Sequence, residues 1–160
     1  MIRKNLLLIA AIAFSSIVHA QQKGDFSGYV GVSYQLIDNA DSGINAGVEY
    51  LILDNTAIAP SFSYYFSPKG ITTYSYNADM RYYLNFNSRL QYYGLGGFSY
   101  LTVKTTVLGQ TVKKENFGVN AGGGVVVSLN EKLGILAQLK YDSSGANSSI
   151  EPMLGITFKF

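Results

Sequence analysis

The sequence predicts an all-β fold, an eight-stranded antiparallel up-and-down transmembrane β-barrel. Three observations carry this. Apolar residues recur at every second position through seven clear segments and one blurred one, the period of a strand with two unlike faces. The connections alternate between tight turns and longer loops, so the two ends of the molecule differ. The polar face is mostly Gly, Ser, Asn, Thr and Gln, small groups that suit a narrow interior better than a solvated exterior.

At the N-terminus, Met1–Ala20 reads as a secretory signal peptide. Arg3 and Lys4 supply the charged start, Leu6–Phe14 the apolar run, and Val18-His19-Ala20 the small residues before a cleavage point at Gln21. The run is too short for the roughly 18–20 residues of a spanning helix. The expected domain organisation is therefore a signal peptide over 1–20 and a barrel domain over 21–160. His19 is the only histidine, so the processed chain is expected to have none, which excludes Ser-His catalysis and imidazole metal sites.

The first strand is predicted over Phe26–Ile37, with Phe26, Gly28, Val30, Val32, Tyr34 and Leu36 on one face. A loop follows over Asp38–Gly43 by composition. The second strand, Ile44–Leu53, sets Ile44, Ala46, Val48, Tyr50 and Ile52 against Asn45, Gly47 and Glu49. Asp54-Asn55 makes a tight turn. The third strand, Thr56–Phe66, carries Pro60, a conflict because proline has no donor for a ladder. After Ser67–Gly70 the fourth strand, Ile71–Asn85, alternates Tyr74, Tyr76, Ala78, Met80, Tyr82 and Leu84 with Thr73, Ser75, Asn77, Asp79 and Arg81.

The fifth strand, Leu90–Val103, is the blurred one. Tyr92 and Tyr93 are adjacent, and Gly94, Gly96 and Gly97 break the pattern, as a bulge would. Lys104–Asn116 is read as the longest connection. The sixth strand, Phe117–Leu129, and the seventh, Leu133–Tyr141, alternate well and are joined by a turn at Asn130–Lys132. The eighth, Ile150–Phe160, places Pro152, Leu154, Ile156, Phe158 and Phe160 on one face. An apolar aromatic at the last position is unusual for a water-facing end, and it points to lipid surroundings.

Alternation alone does not separate a membrane barrel from a soluble lipid-binding one, which is apolar inside. Charged residues are only 14% of the chain, against about 25% in ordinary soluble domains. Within the strands the charges are Glu49, Asp79, Arg81, Lys140, Glu151 and Lys159, which sum to zero, as a water-poor interior requires. Aromatics fall into two groups. Tyr34, Tyr64, Phe66, Tyr74, Tyr76, Phe117 and Tyr141 lie toward the loop end; Phe26, Tyr50, Tyr82, Phe158 and Phe160 lie toward the turn end. Two such girdles mark the two interfaces of a bilayer.

On these features the chain resembles the small outer-membrane β-barrels of the OmpX, opacity-protein and OmpA-membrane-domain kind, over Phe26–Phe160. The resemblance implies residence in the outer membrane of a Gram-negative bacterium. It implies partnership with outer-membrane lipid and, during biogenesis, with the barrel-assembly machinery, for which Phe160, Phe158 and Ile156 would be the signal. It does not fix a particular function.

No cysteine is present, so disulfides and thiolate chemistry are excluded. Without Arg3 and Lys4 the basic and acidic residues are ten each, which leaves no electrostatic footprint for nucleic acid. The glycine runs lie inside strands, where they serve packing or curvature rather than phosphate binding. No cofactor is expected, and no enzymatic activity.

Two candidate sites stand out. Glu49, Asp79, Arg81, Lys140 and Glu151 read either as a gate whose members switch partners or as a structural network filling the lumen. Thr106, Val107, Leu108, Gly109, Gln110, Thr111 and Val112 read either as the tip of a hairpin extending beyond the membrane, with edges open to a protein partner, or as a plain solvated loop. The expected function is non-enzymatic: an integral barrel with a structural role and surface interactions through its loops. A narrow channel for ions or small solutes and a soluble periplasmic lipid-binding barrel are the alternatives.

Overall fold

The computed structural model describes residues 24–36, 41–67, 71–84, 89–107, 110–144 and 148–160. The signal-peptide expectation over Met1–Ala20 lies outside these residues, as do Leu108 and Gly109. Eight strands are present: β1 Phe26–Tyr34, β2 Ser42–Leu53, β3 Thr56–Tyr65, β4 Ile71–Leu84, β5 Leu90–Val107, β6 Gln110–Ser128, β7 Leu133–Asp142 and β8 Ser149–Lys159. Each pairs antiparallel with its neighbour in sequence, and β1 pairs with β8 from Ser27↔Lys159 to Ser33↔Met153, which closes the barrel. Closure leaves no open edge in the hydrocarbon, where an unpaired backbone group has no water to bond.

The alternation of each strand becomes the two sides of the wall. Val30, Val32, Ile44, Ile58, Met80, Leu139, Leu154 and Ile156 point outward and are exposed. Asn45, Ser63, Ser75, Asn77, Ser99 and Gln138 point inward and are buried. An apolar exterior around a polar lumen is the reverse of a soluble lipid-binding barrel, and that alternative is overturned. The aromatic groups also separate by height. Tyr64, Tyr74 and Tyr76 cluster with Phe62 and Phe66 at one end, and Phe26 stacks on Phe160 at the other with centroids 5.3 Å apart.

The structure corrects the sequence reading in two places. First, β5 has no bulge: its ladders to β4 and β6 run without a break, and Tyr92 points out while Tyr93 points in. The register shift lies instead at Leu51/Leu53, where β2 enters its turn to β3. Second, Lys104–Asn116 is not a loop. β5 and β6 stay paired from Leu90↔Val127 to Val107↔Gln110. Pro60 sits inside β3, as the sequence reading expected. The ladder to β4 passes through it at Pro60↔Ala78, whereas the ladder to β2 lacks pairs at Val48 and Glu49. Ladder bonds at Phe66 N to Ser42 O and Tyr83 N to Asn55 O fix which rungs are hydrogen-bonded. By that alternation the missing Pro60 N–H is the one that would face Val48 C=O, so the conflict is settled by one lost ladder bond.

Candidate functional site

The lumen holds the charged residues in two groups at different heights. Near the turn end, Arg81 Nη1 donates to Glu49 Oε2 at 2.8 Å, and Nη2 donates to Gln138 Oε1 at 3.1 Å. The Tyr83 hydroxyl donates to the same carboxylate, at 2.8 Å to Oε1 and 2.9 Å to Oε2. The guanidinium carbon lies 4.5 Å from the Tyr29 ring centroid and 4.8 Å from that of Tyr93, so the cation is held between two rings. Arg81 is 1% exposed and Glu49 2%. Each ring rests on a glycine: a Cβ at Gly47 would come 2.6 Å from Tyr29 Cζ, and one at Gly124 would strike the Tyr93 ring. Leu51, Ala57, Leu95, Val126, Leu136 and Met153 pack around this clamp. Together they fill the lumen at that level.

Toward the loop end the interior is polar. Lys140 Nζ lies 3.3 Å from Glu151 Oε2, a charge contact whose angle falls short of a hydrogen bond, and donates to Asn77 Oδ1 at 3.2 Å. The Tyr65 hydroxyl donates to Glu151 Oε1 at 2.6 Å. Asp79 accepts from Asn120 Nδ2 at 2.8 Å. Asp142 accepts from Ser99 Oγ at 2.9 Å, from Ser144 N at 2.7 Å and from Ser144 Oγ at 2.5 Å.

The five lumen residues read from the sequence therefore form two networks rather than one. The expected neutrality also fails. Asp142 belongs to the interior, since β7 runs one residue past Tyr141, and Lys159 is only half-buried at the turn end. Among the described residues the buried charged side chains are Glu49, Asp79, Asp142 and Glu151 against Arg81 and Lys140. Four inward tyrosines, Tyr29, Tyr65, Tyr83 and Tyr93, supply the hydroxyls and rings that make these charges tolerable. The position of Tyr93 on the polar parity of β5 was the available signal, hidden by its outward neighbour Tyr92.

Beyond the aromatic girdle the wall continues as a three-stranded sheet. β4 covers β5 as far as Ile71↔Thr105. Among the described residues, β6 is paired on its other side from Asn120↔Asp142 downward, with Ser143 N bonding Val119 O at 3.1 Å just above. From Gln110 to Phe117 no described residue pairs with the outer edge of β6. The sequence expectation of two free edges thus reduces to one. Ser128 N bonds Arg89 O, so hydrogen-bonded rungs alternate from that pair, and the N–H and C=O groups of Thr111, Lys113, Glu115 and Phe117 face the open side. Thr106 and Thr111 bond hydroxyl to hydroxyl at 3.1 Å, Val107 pairs with Gln110, and Val112 is exposed. Lys113 Nζ lies 2.5 Å from Glu115 Oε1. That bond, more than any other influence, lifts the Lys113 ammonium above its ordinary range and holds the Glu115 carboxyl below its own.

In β8, Phe160 is 77% exposed, bonds Phe26 O through its amide at 3.1 Å and packs edge-on to Phe158 at 5.4 Å. Ile156 shares the same outward face.

Solved structures that share this architecture include bacterial outer-membrane barrels. The N-terminal β-barrel domain of OprF from Pseudomonas aeruginosa superposes with a TM-score of 0.76 at 15% identity, covering 88% of this chain and 100% of that one. OprG from the same organism gives 0.70 at 15% identity, covering 90% and 99%. The attachment invasion locus protein Ail of Yersinia pestis, solved with the heparin analogue sucrose octasulfate, gives 0.67 at 19%, covering 87% and 100%. At such identities the likeness is one of fold. No curated protein matches the sequence significantly. The family model described as outer membrane protein beta-barrel domain matches residues 6–153, nearly the whole chain. With the closed barrel and its inverted polarity, that match places the chain in the outer-membrane β-barrel domain family.

Proposed function

We propose that this protein is a non-enzymatic barrel of the Gram-negative outer membrane whose filled lumen anchors an extracellular sheet for contact with a protein partner. The edge of β6 over Gln110–Phe117, which no described residue pairs, carries this reading. Edge strands of this length are normally covered, bulged or blunted, because they pair readily with other strands. A partner strand would add to β6 through the backbone groups of Thr111, Lys113, Glu115 and Phe117. The Phe160, Phe158 and Ile156 face of β8 serves the barrel-assembly machinery during biogenesis.

The lumen charges serve structure in this reading. The gate alternative would require Arg81 to leave Glu49, Gln138 and both rings together. Replacing Thr111 by proline removes one edge donor while sparing the β5 ladder. Surface binding to other proteins or cells should fall with Thr111→Pro and with deletion of Thr106–Val112. Binding that survives both changes would end the adhesive reading.

A further inference from the structure

One rung of the extracellular sheet is electrostatically wrong on its own. Lys104 and Lys113 stand directly opposite each other across β5 and β6. They share the outward face, the one that looks onto lipid lower down, where Phe98 and Phe117 stack with centroids 5.6 Å apart. Like charges at opposed positions of an antiparallel pair repel. The rungs on either side on this face are Thr102↔Glu115 and Thr106↔Thr111, so Glu115 is the anion within the group, and it is already bound to Lys113.

Both lysine side chains are tied toward the membrane rather than toward the tip. Lys104 Nζ lies 5.3 Å from the Tyr74 ring centroid, and Tyr74 itself packs on Phe62 and Tyr76 in the girdle. Lys113 Nζ lies against Glu115, two residues nearer the girdle on β6. Strand residues rise about 3.3 Å each, and a tilt near 40° leaves roughly 2.5 Å per residue along the membrane normal. By that measure the Lys104 backbone stands about 10 Å above the girdle residue Tyr100. A side chain bent back over Tyr74 brings the ammonium down to the level where headgroups lie.

We propose that Lys104 and Lys113 form a clamp for the phosphate of an anionic lipid headgroup in the outer leaflet, with Tyr74 and Tyr100 as its floor. A phosphate between the two ammonium groups turns their repulsion into paired charge-assisted hydrogen bonds. The ligand is a lipid because the clamp opens on the lipid-facing side of the wall, directly above the aromatic belt. The clamp is independent of a protein partner at the β6 edge.

The test uses the folded full barrel in nanodiscs of phosphatidylcholine containing a minor share of phosphatidic acid with the same acyl chains. Native mass spectrometry then counts the lipids retained. Wild type should retain phosphatidic acid at least fivefold over its bulk share. Lys104→Gln and Lys113→Gln should each cut that enrichment about threefold or more, and the double variant should abolish it. Lys114→Gln, on the other face of β6, should leave it intact. Heat-dependent gel mobility checks that every variant is folded. Unchanged enrichment in the double variant, or an equal loss in Lys114→Gln, overturns the proposal. Sucrose octasulfate displacing the lipid and binding at the same lysines in detergent would assign the clamp to a soluble polyanion and equally overturn it.

Discussion

Replacing Arg81 by methionine removes the cation at the centre of the lower lumen while keeping an unbranched chain of similar reach. The loss includes the 2.8 Å bond to Glu49, the 3.1 Å bond to Gln138 and the contacts with the Tyr29 and Tyr93 rings. Glu49, at 2% exposure, would keep only the Tyr83 hydroxyl as donor. Breaking one side of a buried pair costs about 3–5 kcal/mol, chiefly because the surviving charge stays desolvated. With a urea dependence of roughly 2 kcal/mol per molar, the midpoint should fall by about 2 M. The chain has no tryptophan, so folded fraction is best read in lipid vesicles by the mobility difference between unheated folded and unfolded protein on gels. Adding Glu49→Leu should recover most of the loss, since replacing both members of such a pair by apolar groups is close to neutral. A midpoint unmoved by Arg81→Met, or a double variant as unstable as both single losses together, would refute the reasoning.

Four further outcomes follow from the geometry. Gly124→Ala should destabilise by about 1–3 kcal/mol by overpacking against the Tyr93 ring, visible in the same gel assay, whereas Gly94→Ala faces open space and should be within about 0.5 kcal/mol of wild type. Pro60→Ala should restore the missing ladder bond to Val48, and hydrogen exchange should find the new amide at position 60 protected. Phe160→Ala should lower the level of assembled barrel in the outer membrane far more than the urea midpoint of barrel already inserted, since the Phe26 and Phe158 contacts are worth only about 0.5–1.5 kcal/mol each beyond area. Glu115 should titrate below the ordinary Glu value of about 4.3 in carboxyl NMR. A depressed folded value means the Lys113–Glu115 tie is fully present above that pH and is lost as pH falls through the folded midpoint; Lys113→Gln should move the midpoint upward.

Strand number, order and wall polarity were legible because period-two alternation is a local property that each segment carries in its own residues. Leu139 and Lys140 sit on opposite faces whatever their neighbours do. The height of contacts within the lumen was not legible, because it depends on register across strands far apart in sequence. Nothing local to Arg81 indicates that it reaches Glu49 rather than Glu151, or that Tyr29 and Tyr93 flank it. Asp142 follows the expected strand end at Tyr141, yet β7 carries it inside. The length of β5 and β6 was half visible: Thr105–Val112 is β-prone and nearly symmetric, but polar Lys104, Lys113 and Lys114 look like solvated loop when no membrane surface is in view. Pro60 was correctly read as a conflict, and only the ladder shows which of its two neighbours bears the cost.

The central claim is a lumen closed by its own side chains, which leaves the extracellular sheet as the working surface. Single-channel recording on purified protein in planar bilayers tests it most directly. The account predicts no stable conductance steps from wild type. Reproducible steps that respond to Arg81→Met or Lys140→Met would contradict it and return the lumen charges to the role of a gate.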